Sequence, residues 1–152
     1  MSYKIILDLY TKYVKSTENG AIVQDIQVLL CNLTHAVAKG INSKCIRVHI
    51  GSRVLKHVYD KRPAEEFDFL VGNVHQIAKY PDHIYRNKDK KKGDFIFVKK
   101  IKNKTYVCSL QEIMREDDSR RCEVVTFFRI RKDNYLASYE LLWEWKGGEP
   151  SS

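Results

Sequence analysis

Apolar residues recur along this chain with two different periods, and the change falls near residue 94. Ahead of it the spacing is helical. Ile6, Leu7, Tyr10, Tyr13 and Val14 predict a first helix over residues 3–14, and Asn19-Gly20 then marks a turn. Ile22, Ile26, Leu29, Leu30, Leu33 and Val37 return at intervals of three and four, which predicts a long helix closed by Gly40. Ile46, Val48 and Ile50 alternate with Cys45, Arg47 and His49 as in a strand, and Ser52 is placed to cap a short helix through Lys56, His57 and Tyr59. After Pro63 an apolar face of Phe67, Leu70, Val71, Val74, Ile77 and Ala78 predicts a helix over residues 64–79, stopped by Pro81. From Asp94 onward the period is two. Strands are predicted over 95–101, 105–113, 121–130 and 139–145, the first two joined by the turn Lys102-Asn103-Lys104.

This order predicts an α+β domain, with N-terminal helices packed on a four-stranded antiparallel sheet. A chain of 152 residues with 43% hydrophobic content fits one domain, divided into N-terminal helices over 1–43 and a core over 44–152. No run approaches the 18 apolar residues of a membrane span, and Ile5-Ile6-Leu7 is too short for a signal peptide, so a cytoplasmic protein is expected. Cys31, Cys45, Cys108 and Cys122 form no paired zinc spacing and lie in apolar runs; all four are expected to be reduced and structural.

Charge changes the picture more than composition does. The net charge is +8, and between Arg86 and Lys104 nine basic residues face only Asp89 and Asp94. A solvated loop and a lysine-guarded hairpin edge would account for some of this. So strong a concentration, with Arg86, Lys90, Lys91 and Lys92 at its head, also suits a phosphate-tracking surface for a polyanion, with nucleic acid, RNA above all, the first candidate partner and an acidic membrane surface the second. A second cluster runs from His49 to His57 and includes Arg53 and Lys56. An imidazole exchanges a proton near neutral pH, and an ammonium stabilises charge on a pentacoordinate phosphorus. Neighbouring lysine and histidine are more often ordinary surface residues, and His35, His75 and His83 read as structural. In Val124-Val125-Thr126-Phe127-Phe128-Arg129, Thr126 either reflects β-propensity or offers a hydroxyl to phosphate, and Arg129 is a further substrate-binding candidate. Nucleotide-loop and metalloprotease motifs are absent, the run Glu116-Asp117-Asp118 reads as solvated, and neither metal nor cofactor is expected.

The order Leu55-Lys56-His57-Val58, amphipathic helix, Tyr80-Pro81-Asp82-His83-Ile84, Val124-Val125-Thr126-Phe127-Phe128 and a closing Pro150-Ser151-Ser152 resembles the phage and polymorphic-toxin nucleases of the barnase-EndoU-colicin-RelE-like superfamily. The resemblance covers roughly Cys45 to Ser152, and the closing segment is one proline short of the group's pattern. It implies a metal-independent ribonuclease leaving a cyclic phosphate. His57 would be its general acid or base and Lys56 an electrostatic partner, with Thr126 and Ser151 bonding phosphate; His49 is a candidate second proton-transfer group and Arg53 a substrate contact. An acidic inhibitor protein is a conceivable second partner. The rival reading is a non-catalytic basic domain that binds nucleic acid through residues 86–104.

Overall fold

The computed structural model describes residues 2–114, 120–132 and 134–146. Among the described residues four α-helices and seven strands are formed: α1 (Ser2–Tyr13), β1 (Gln27–Asn32), α2 (His35–Gly40), β2 (Arg47–Gly51), α3 (Ser52–Lys61), α4 (Ala64–Lys79), β3 (His83–Arg86), β4 (Phe95–Ile101), β5 (Lys104–Met114), β6 (Arg120–Ile130) and β7 (Leu141–Glu144). The strands make one sheet in the order β1-β2-β6-β5-β4-β3-β7. Every pairing is antiparallel except β2 with β6, where Val48 stands opposite Cys122 and His49 opposite Glu123.

The α+β class agrees with the sequence, but the expected four-stranded antiparallel sheet does not: the sheet is seven-stranded and mixed. Three local facts explain the difference. The predicted helix over 22–37 is replaced by β1 and the six-residue α2. A bulge between Leu29 and Cys31 lets Leu30 and Cys31 both be buried, so the strand loses its alternation and imitates helical spacing. The four-residue β3, too short to announce itself by period, pairs with β4 on one side and β7 on the other. The last strand therefore lies at the far end of the sheet and not beside β6.

Elsewhere the local chemistry is plain. The apolar face of α4 is buried as predicted, with Glu65 and Glu66 in its first turn, where the helix dipole favours carboxylates. Lys102 and Asn103 take φ of 50° and 68°, the backbone of a tight two-residue hairpin turn between β4 and β5. Ser52 does not cap α3 through its side chain; its hydroxyl donates to the Gln24 carbonyl and accepts from Ile26 N–H, stitching the helix start to the segment that leads into β1. Gly40 ends α2 against Trp143, where a Cβ would lie 2.2 Å from the indole.

Alternation divides the core between the two sheet faces. Phe95, Phe97, Tyr106, Cys108, Leu110, Val124 and Phe127 join the helices in the main core. Tyr10, Tyr59 and Phe67 tie α1, α3 and α4 together, with ring centroids 5.3–5.8 Å apart. On the other face Ile96, Val98 and Val107 form a small cluster, roofed by Leu136 and Tyr139 from the β6–β7 connection. Cys45 and Cys122 are paired as a disulfide across 77 residues of chain, correcting the expectation of four reduced thiols, while Cys31 and Cys108 are free and buried. Burial pushes the Cys31 thiol up to about 12, and raises that of Cys108 as well. Among the described residues no helix is long and apolar enough to cross a membrane.

Candidate functional site

The Lys56-His57 pair lies on α3, and helical geometry gives its two members different fates. Leu55 and Val58 face the core, which turns Lys56 toward the segment preceding β1 and leaves His57 exposed. The Lys56 ammonium is buried. It donates to the Glu18 carbonyl at 2.6 Å and to Asp60 Oδ1 at 2.7 Å, one turn along the helix. Asp60 Oδ2 in turn accepts from Gly20 N–H at 3.0 Å. Burial by itself raises the Asp60 carboxyl, but the hydrogen bonds from Lys56 and Gly20 and the positive charge beside it prevail, and the net shift is downward. Lys56 thus satisfies a half-buried carboxylate and locks residues 18–20 onto α3.

Arg53 and His57, four residues apart on the outer side of α3, border an open pocket of about 430 Å³ together with Ile22, Lys56 and Asp60. Arg53 Nε donates to the Val23 carbonyl at 3.2 Å, which fixes the start of its side chain at the rim. Ile22 is 91% exposed beside this cationic rim.

The other sequence candidates lie elsewhere. His49 is on the face of β2 turned away from the helices, because its neighbours Val48 and Ile50 enter the main core. Opposite it in register is Glu123, whose carboxylate receives Arg121 Nε at 2.8 Å. Thr126 shares this second face. It is two residues before Phe128, which packs in the small cluster, and it is paired with Ser109, whose hydroxyl is buried with no hydrogen-bond partner among the described residues. Lys56, His57 and Thr126, which the resemblance assigns to one phosphate, are therefore not brought into one cleft: no β6 residue borders the α3 pocket. Arg86 is exposed at the end of β3 and meets Glu140 at 3.2 Å, and Lys91 and Lys92 are exposed in the short 3₁₀ turn that also contains Lys90. Arg129 is half-buried at the far end of β6, in a pocket with Lys102, Lys104 and Arg131. Ser151 and the run Glu116-Asp117-Asp118 lie outside the described residues.

Two groups escaped the sequence reading. Asp60 could have been found, since a carboxylate four residues after a lysine is the ordinary helical ion-pair spacing. His83, Tyr85 and Trp145 could not: they meet along β3 and the end of β7, two segments whose adjacency no local pattern encodes. Among the described residues no group of three His, Cys, Asp or Glu side chains is gathered to hold a metal ion. Comparison with protein-family models, curated proteins and solved structures finds no match for this chain.

Proposed function

We propose that the domain is a metal-independent endoribonuclease in which His57 is the general acid–base group. The observation that carries this reading is the exposed imidazole of His57 beside Arg53 at an open pocket, on a helix anchored from below by the Lys56–Asp60 pair. His57 would take the proton from the substrate's 2′-hydroxyl. The 2′-oxygen then attacks phosphorus, the bond to the 5′-oxygen breaks and that oxygen takes a proton from water, leaving a cyclic phosphate, while His57 returns its proton to solvent. Arg53 supplies positive charge at the pocket for the phosphate. Lys56, committed to Asp60, acts as a positioning residue rather than a phosphate ligand. The basic run from Arg86 to Lys104 adds affinity for the RNA backbone without specifying its sequence, and would equally attract an acidic inhibitor protein.

The test is cleavage of a labelled generic RNA in EDTA. His57→Ala is expected to lower the rate ~10²-fold, the usual scale for one proton-transfer group, whereas His49→Ala, on the other sheet face, leaves it nearly unchanged. Full activity in His57→Ala would remove the assignment. A second reading, a binding domain without catalysis, is favoured by the commitment of Lys56 and by the placement of Thr126 away from α3. That reading predicts a gel shift without degradation, and binding that weakens steeply with salt.

A further inference from the structure

The second sheet face carries an open trough above the β4–β5 hairpin. One part, of about 810 Å³, is bordered by His83, Tyr85, Lys100 and Trp145. Thr105 and Leu136 also border an adjoining hollow of about 320 Å³, whose walls include Arg129, Arg131 and Lys132. The trough thus runs from aromatic rings at one end to a cluster of cations at the other.

Trp145 stands at the lip between this trough and a pocket on the helix side that Val37 and Trp143 also line; it is 42% exposed, and its backbone N–H donates to the Asp82 carbonyl at 2.9 Å. A large ring left in water gains by being covered. Two carboxylates, Asp82 and Glu144, also line the aromatic part, and both are already engaged. Asp82 accepts from Lys100 N–H at 2.8 Å and meets Lys99 at 3.7 Å, and Glu144 accepts from Lys146 at 3.1 Å and lies 3.2 Å from His83 Nε2. Glu66 is engaged by Arg62 and Arg131. Lys100, Lys102, Lys104 and Lys132 remain exposed around the hairpin end, so the trough presents surplus positive charge.

We propose that this trough binds single-stranded nucleic acid, with an unpaired base stacked on Trp145 and the backbone following Lys100 toward Arg131 and Lys132. Aromatic rings beside cations suit a single strand, whose bases are free to stack on protein; in a duplex those ring faces are already covered by neighbouring bases. The proposal deepens the RNA reading by naming the form of nucleic acid recognised. It assigns recognition to the sheet face opposite α3.

The test uses the full chain and a fluorescein-labelled 12-nucleotide oligodeoxyadenylate. This probe has no 2′-hydroxyl, so the cleavage chemistry proposed for His57 cannot consume it. Anisotropy is expected to show binding, with a 12-base-pair duplex competing at least about tenfold more weakly. Trp145→Ala should weaken binding about tenfold, and Trp145→Phe, which keeps a ring, should recover most of that loss. Trp143→Phe leaves Trp145 as the sole tryptophan, whose emission should be quenched on titration with unlabelled oligomer. The double variant Lys100→Gln/Arg131→Gln should flatten the salt dependence. Equal affinity for single strand and duplex, or unchanged binding by a folded Trp145→Ala chain, would overturn the proposal. The two readings fail separately. Loss of RNA cleavage as a property of the protein leaves oligomer binding standing, and normal cleavage with indifference to Trp145→Ala removes the trough alone.

Discussion

On the helix-covered face of the sheet, Phe97, Leu110 and Phe127 are completely buried, and four helices lie over them or at their edges. On the opposite face Ile96, Val98 and Val107 are roofed by little more than Leu136, Tyr139 and the half-buried rings of Tyr85 and Phe128. Lys88 reaches over the Tyr139 ring at 4.6 Å from its centroid, and Tyr135 stacks on Tyr139 at 6.1 Å. The first face is arranged for cohesion, and even its lysine is sequestered in an ion pair. The second leaves rings and cations in contact with water. Adjacent residues of a single strand, Phe127 and Phe128, divide between these two regimes, so the contrast arises from the pleat and not from composition.

That contrast can be broken by experiment, beginning with the largest effect. The Cys45–Cys122 disulfide belongs to the helix-covered core and ties the approach to β2 onto β6, across the sheet's one parallel seam among the described strands. For a loop of 77 residues the chain-entropy relation gives ~4.5 kcal/mol. Cys45→Ala/Cys122→Ala, compared with the parent chain by urea unfolding, should lose stability on this scale; an unchanged midpoint would mean that the seam is held by packing alone. Phe127→Ala is expected to cost ~4 kcal/mol, and Phe128→Ala about 1 kcal/mol. Equal losses in the two variants would erase the distinction between the faces. Asp60→Ala should cost about 3 kcal/mol by leaving the Lys56 ammonium buried without its carboxylate, and Lys56→Met/Asp60→Ala should recover much of that.

The smallest effect concerns acid. The Asp60 carboxyl is held below its ordinary value of 3.8 in the folded chain, so its contribution to stability is complete above that value and is lost as pH falls through the folded one. The stability difference between parent and Asp60→Asn chains should therefore begin to shrink as pH falls below about 4 and go on shrinking in stronger acid. A difference that persists undiminished at pH 2 would show that the carboxylate's charge is not what stabilises the α3 anchor.

Legibility in the sequence follows the length and cleanliness of each periodic segment. The helix over 64–79 stands close to where the pattern places it because it repeats its period against one uniform face, and the strands around 95–101 and 121–130 do so because each is a long run rich in β-branched and aromatic residues. The stretch over 22–37 misled because the bulge between Leu29 and Cys31 buries Leu30 and Cys31 side by side and so breaks the period-two pattern of this edge strand. For the candidate site, local spacing placed Arg53, Lys56 and His57 together, since one helix carries all three. It could not reveal that Thr126 and His49 face the other side. Side-chain direction on a strand depends on which face the helices choose, and along β6 the bulge opposite Ser109 and Leu110 shifts the phase of alternation.

The irregularity in β1 matters also for how copies of the molecule meet. The outermost strands of an open sheet offer unpaired amides and carbonyls to any neighbour able to extend the ladder. At one border that invitation is kinked at Leu30; at the other, β7 spans only four residues. Neither border supplies a long, straight template, so the sheet can keep a large ring-lined surface in water while discouraging strand-by-strand self-association.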